Sequence, residues 1–273
     1  MMLNKPWSQT RAGFTLVELL VVIAIIGILA ALVLTALSHG KERGRLVTDL
    51  NNTRQILLAM QIYAGDANDL LPRPGWSSPY SCWAYGYPFP YGGGGTEAEY
   101  AAKYPGQLDA VTKGQLYAYL TTAKVLMCPA DRVDSLFYGR EMYVSSYVWN
   151  GAVSSYDRST DKTHKLGQFK PNAILQWESD ETFPETFNNV ANVPYEGFTR
   201  RHGGNRSGDM AQNARCMATI GLFDGSSKRM SARELYKLTG GQAMFPDGPP
   251  LPANLPNELW CNPDSTNGTA TTF

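Results

Sequence analysis

Residues 14–37 form an apolar run whose only charge is Glu18. Roughly 24 residues at about 1.5 Å of rise per residue reach about 36 Å, more than a hydrocarbon core of about 30 Å. The run therefore predicts a membrane-crossing helix. Beyond it Leu46, Leu50, Leu57, Met60 and Ala64 recur at three-, four- and seven-residue steps, whereas Asp49, Asn52, Arg54 and Gln55 fall largely off that line. This spacing predicts that one helix continues from Thr15 to about Tyr63, its second half packed on a globular head. Asp66, Asn68 and Asp69, followed by Pro72, read as a helix stop and turn, because proline cannot continue the helix.

Past the turn, the pattern shortens. Residues 114–123 predict a short helix, and residues 143–149, 173–177 and 217–223 predict strands, the last followed by an Asp224-Gly225 turn. A helix followed mainly by strands implies an α+β fold, with an antiparallel sheet laid against the long helix. Residues 73–95 are an aromatic-rich insertion containing Trp76, Trp83, Tyr85, Phe89 and Tyr91. Such rings either fold against the head or offer a stacking surface to a carbohydrate or partner. The tail, 240–273, is rich in proline, glycine and asparagine and is expected to be irregular, with Trp260 and Cys261 as anchors.

Charge adds little globally. Lys+Arg and Asp+Glu are 24 each, so no net field draws the chain to nucleic acid. Locally it is more informative. Residues 1–13 carry Lys5 and Arg11 and no acid, which suits a leader. An ordinary secretory signal is cut after its apolar core, but here the small residue, Gly13, precedes the core. A cut after Gly13 leaves the membrane helix on the mature chain, beginning at Phe14. Basic residues also follow the run at Lys41, Arg43 and Arg45, so the positive-inside rule does not orient it. An acid at mid-helix costs about 2.5–3.5 kcal/mol to insert, so Glu18 calls for a purpose.

The stretch Gly13-Phe14-Thr15-Leu16-Val17-Glu18 and the apolar run after it resemble the class III leader of type IV pilins and type II secretion pseudopilins. The resemblance implies cleavage after Gly13 and N-methylation of Phe14 by a prepilin peptidase/N-methyltransferase, with Glu18 guiding assembly. In a bundle of such helices, Glu18 of one subunit would pair with the cationic amine of Phe14 on its neighbour, each offsetting the other's burial. It further implies a filament of pilin or pseudopilin subunits built on an inner-membrane assembly platform. The leader would be cytoplasmic, residues 14–37 in membrane lipid, 38–65 an amphipathic continuation, and the 66–239 head periplasmic or extracellular.

Internal stretches, among them Cys128-Pro129-Ala130-Asp131, Ser146-Tyr147-Val148-Trp149-Asn150 and Arg201-His202-Gly203-Gly204 with Asp224-Gly225, are similar to large pseudopilin-like proteins with a C-terminal His-spacer-Asp-Gly motif. The spacer here is longer than the usual form, and Ser226 stands where a histidine often follows. His202 and Asp224 are expected to brace two neighbouring strands.

Cys82, Cys128, Cys216 and Cys261 are an even set that allows three disulfide pairings, or none if they stay reduced and buried. Their wide spacing lacks the close cysteine pair of a common zinc site. With three histidines and no metalloprotease or nucleophile-elbow motif, neither a histidine-rich metal centre nor an enzyme is expected. Asp66, Asn68 and Asp69 lack the full calcium-loop pattern and read as turn residues. No cofactor is implied.

Overall fold

The computed structural model describes residues 15–76, 79–120, 122–204, 213, 215–240 and 254–269. Two compact units divide the chain, residues 1–44 and 45–273. The first contains the opening part of helix α1, Leu16–Asp66. Within it Leu16–Leu34 is long and apolar enough to cross a membrane. Its large side chains, from Leu16 through Leu37, are exposed, as a helix solvated by lipid requires.

In the second unit α1 continues with a buried stripe of Asp49, Thr53, Leu57, Met60 and Ala64, spaced by four, four, three and four residues. The apolar end of this stripe matches the sequence pattern. At its start the face is rotated: Leu46 and Leu50 are half-buried, while Asp49 and Asn52 are buried. Two polar residues expected off the packed face thus lie on it, because polar partners wait for them on the head.

Helix α2, Glu97–Val111, begins at Thr96, whose hydroxyl accepts from the Glu99 amide. Short α3, Ser135–Tyr138, is capped by Asp134. The sheet is built from β1, Tyr147–Asn150; β2, Ile174–Glu178; β3, Ala191–Asn192; β4, Met217–Leu222; and β5, Ser227–Ser231. Helix α4, Ala232–Thr239, follows β5 through a reciprocal Ser231–Glu234 cap. The order is β3-β1-β2-β4-β5. Its pairs are antiparallel except β1–β3, which is parallel. The fold is thus α+β with the expected long N-terminal helix, and the sheet is mixed rather than wholly antiparallel. The short β3 joins because the Val190 carbonyl accepts both the Trp149 amide and the Trp83 indole N–H.

The sheet separates two cores. One holds Ile56, Leu57 and Met60 of α1 with Trp83, Trp149, Leu175 and Phe223. The other holds Val148, Ile174, Trp177 and Ile220 with Leu235 and Tyr236 of α4. Ile174 and Trp177 are three residues apart, an odd step that strict alternation would send to opposite faces. A register shift between Ile174 and Gln176 restores them to one face. On the outer edge, β5 shows Lys228 and Arg229 to solvent, which discourages pairing with another strand.

The expected 114–123 helix resolves into two 3-10 turns, Tyr117–Tyr119 and Ala123–Leu126. The aromatic insertion folds inward: Trp83, Tyr85 and Phe89 are buried, and Trp83 stacks on Trp149 at 4.9 Å between centroids. Tyr87 stays exposed. In the tail, Leu259 and Trp260 are buried, and the carbonyls of Glu258 and Leu259 accept from the Ile174 amide and Asn150 Nδ2.

Candidate functional sites: the N-terminal motif and a buried polar cluster

Gly13 and Phe14 lie outside the described residues. Glu18 lies inside them, and Thr15 and Glu18 form a reciprocal cap at the start of α1. The Thr15 amide and hydroxyl both donate to Glu18 Oε2, at 2.8 and 2.7 Å, and the Glu18 amide donates back to Thr15 Oγ1 at 3.2 Å. This is the Thr-x-x-Glu capping-box spacing. It satisfies helix-end donors that lipid cannot, so the carboxylate has a role within one chain as well as the intermolecular one expected of it.

The second site is in the head. The Asp49 side chain comes from α1, Cys128 from the turn after the second 3-10 segment, Glu178 from the end of β2, and His202 from a bridge to Met217 at the start of β4. All four are buried. His202 Nε2 lies 3.2 Å from Glu178 Oε1, 3.4 Å from Cys128 Sγ and 3.6 Å from Asp49 Oδ2. Burial opposes the imidazolium, but the charges of Glu178 and Asp49 outweigh it and raise the His202 pKa to about 10. Burial, reinforced by Glu178 and Asp49, pushes the Cys128 thiol up. A thiol held neutral and enclosed is a poor nucleophile, although it sits beside an imidazole.

Asp131, three residues beyond Cys128, lies between two guanidiniums. Arg140 grips it through both nitrogens at 2.8 and 3.0 Å, and Arg201 Nε is 3.2 Å away. Arg201 also reaches Glu178 at 3.3 Å, joining the two halves of the cluster. Burial would raise the Asp131 pKa, but Arg201 and Arg140 overcome it and hold the carboxyl well below the usual carboxylate range. The Arg140 guanidinium rests over Phe187 at 3.8 Å and Phe137 at 4.5 Å.

Several expectations change here. His202 and Asp224 do not brace each other: His202 is bridged to the first residue of β4, whereas Asp224 lies two residues past its last, so that strand's length separates them. Asp224 instead forms a turn, accepting the Ser226 amide on Oδ1 and Gln61 Nε2 on its carbonyl, and Gly225 supplies the positive φ of +86° that the turn needs. Cys82, Cys128, Cys216 and Cys261 are free thiols, and no disulfide joins them. Each sulfur has its own surroundings: Cys82 in the α1-side core, Cys128 at His202, Cys216 donating to the Thr199 carbonyl beyond the sheet, and Cys261 near Asn150 Nδ2. Asp66 and Asp69 act as turn residues, accepting from Tyr119 Oη and the Gly167 amide. Asp49, Glu178, Asp131 and Arg140 were not singled out by sequence as site residues. The motifs around Cys128 and His202 were the visible signal, and their partners lie far away along the chain.

Residues 8–34 match the family model for the prokaryotic N-terminal methylation motif. No curated protein and no solved structure matches the chain. The matched segment and the apolar part of α1 together form a prepilin-type N-terminus whose helix anchors the chain in a membrane, the one helix of that length and composition among the described residues.

Proposed function

We propose, from the premise of a prepilin-type methylation motif at residues 8–34, that this chain is a filament subunit of the pilin or pseudopilin kind. It is cut after Gly13 and N-methylated on Phe14 by a prepilin peptidase/N-methyltransferase. It then enters a type II secretion pseudopilus or type IV pilus-like filament through its apolar helix, on an inner-membrane platform. The head lies on the extracytoplasmic side. One observation carries this reading: the methylation motif coincides with a helix whose large apolar side chains are uncovered, a surface suited to lipid before assembly and to sister helices after it.

The local cap at Glu18 makes the assembly role separable from helix capping. Glu18→Gln keeps a side chain that can close the capping box but removes the charge. Thr15→Ala removes the cap and keeps the charge. Pairing of Glu18 with the Phe14 amine of a neighbour predicts that Glu18→Gln abolishes filament incorporation while Thr15→Ala retains it. Mass spectrometry of the mature chain should show N-methylated Phe14. An intact Met1 start in cells with an active prepilin peptidase, or normal incorporation of Glu18→Gln, overturns the corresponding part.

A further inference from the structure

A single imidazole nitrogen, His202 Nε2, carries at most one proton, yet Glu178 Oε1, Cys128 Sγ and Asp49 Oδ2 surround it at 3.2, 3.4 and 3.6 Å. That one N–H faces two carboxylate oxygens, and the Cys128 thiol brings one weak donor of its own to the same point. Asp49 Oδ2 is buried with no hydrogen bond of ordinary length, its 3.6 Å approach to His202 being an ion-pair distance. The four donor atoms lie within 4.8 Å of one another. In a tetrahedral site with bonds of about 2.0–2.3 Å, neighbouring ligand atoms stand about 3.3–3.6 Å apart, which is the spacing around Nε2.

We propose that Asp49, Cys128, Glu178 and His202 form a structural site for one divalent ion of the zinc class. An imidazole, a thiolate and two carboxylates make a mixed, borderline-soft donor set, which favours zinc over calcium or magnesium. Four protein ligands close the coordination sphere, as a structural rather than a catalytic site requires. The wide spacing of the cysteines argued against zinc in the sequence. The fold instead gathers one ligand from each of four separate segments.

The groups behind the ligands suit this role. Tyr147 Oη donates to Asp49 Oδ1 at 2.5 Å, and the Thr219 amide donates to Glu178 Oε2 at 2.9 Å. Asp49 Oδ2 and Glu178 Oε1 are thereby left on the His202 side, where the ion would sit, the arrangement that outer-shell partners impose on ligands. The Ala130 amide donates to Cys128 Sγ at 3.4 Å, a contact that favours a thiolate. His202 is fixed through its carbonyl, which accepts the Met217 amide at 3.0 Å. Arg201 shares Glu178 Oε1 at 3.3 Å while keeping Asp131 at 3.2 Å.

Metal binding through an imidazole and a thiolate releases their protons, so a divalent ion can enter this buried cluster without adding net charge to it. The ion would bind α1, the Cys128 turn, the end of β2 and the approach to β4 at one point, independently of whether the chain joins a filament.

The test uses the full-length chain in non-ionic detergent, stripped with a chelator and dialysed against zinc or cobalt(II). Wild type should retain about one ion per chain and raise its thermal midpoint by about 10 °C. The cobalt form should show a thiolate-to-metal charge-transfer band in the near ultraviolet. Cys128→Ser should remove the band, and Cys261→Ser, a control thiol away from the site, should keep it. Tyr147→Phe, which leaves every ligand in place, should weaken zinc binding about 10-fold. Folded wild type that retains less than about one-tenth of an ion per chain, or a cobalt band that survives Cys128→Ser, overturns the site.

Discussion

Replacing Asp131 with asparagine isolates the charge at the centre of the buried cluster. The side chains of Asp131 and Arg140 are wholly enclosed, and Arg201 is nearly so. Asparagine preserves shape but leaves Arg140 without its bidentate partner. Removing one member of a buried pair costs about 3–5 kcal/mol, because the remaining charge stays desolvated. Two features place this site near the lower end. Arg201 keeps Glu178 at 3.3 Å and Glu181 at 3.7 Å, and Arg140 keeps the faces of Phe137 and Phe187. We therefore expect a loss of about 3 kcal/mol, which for a urea dependence of about 3 kcal/mol per molar moves the midpoint down by about 1 M. Tryptophan fluorescence of the full chain in detergent reads the transition, since Trp83, Trp149, Trp177 and Trp260 are buried in the head. The pH dependence follows from the same pair. The folded Asp131 pKa is held below the ordinary 3.8, so its contribution is full above 3.8 and disappears as pH falls through the folded value. Asp131→Asn should flatten that acid limb. Adding Arg140→Met should recover most of the loss, because no lone charge then remains. A loss below about 1 kcal/mol, or a double variant no more stable than Asp131→Asn, refutes the reasoning.

Other perturbations probe the packing. Trp83→Ala removes a buried ring stacked on Trp149 and the indole bond to Val190, and should cost about 3–5 kcal/mol by urea denaturation; an unchanged midpoint would contradict the inward-folded insertion. A Cβ at Gly221 on β4 would stand 2.9–3.2 Å from three carbons of Leu57, so Gly221→Ala should cost about 1–3 kcal/mol, and pairing it with Leu57→Val should return part of that. Gly225→Ala must hold a φ of +86° while crowding Gln61, and a loss of about 1–2 kcal/mol in the same assay is expected; a neutral result would show that the turn relaxes.

The elements with strong periodic signals were legible in the residues. Long apolar runs, three- and four-residue spacing and apolar stretches marked α1, β2 and β4 close to their observed bounds, and marked β1 with a start four residues too early. The misses have physical causes. The two residues of β3 are too few to alternate, and β5 is a polar edge strand, Ser-Lys-Arg-Met-Ser, with little apolar signal. Pro105 and Gly106 disguised α2, although Thr96 and Glu99 sit at cap spacing ahead of it. At the N-terminus the motif was plain, and so was the spacing of Thr15 and Glu18, whose meaning as a cap emerged with the hydrogen bonds. The buried cluster was half visible. Cys128-Pro129-Ala130-Asp131 and Arg201-His202 stood out, but Asp49 looked like an outward helix residue. Only the close approach of α1 to Tyr147 and His202 explains why a carboxylate belongs on the packed face.

The place of Asp49 has a mechanical meaning. It lies four residues past Arg45, where the second compact unit begins, and ahead of Leu57, Met60 and Ala64 on the same helix. Tension applied to α1 from its N-terminal side therefore reaches the Asp49 contacts with Tyr147 and His202 before it loads Leu57, Met60 and Ala64. Directional polar bonds resist sliding, whereas greasy surfaces let one another slip. Asp49 is thus positioned as a strain-bearing clamp of the head, and the hydrophobic stripe behind it as the reserve.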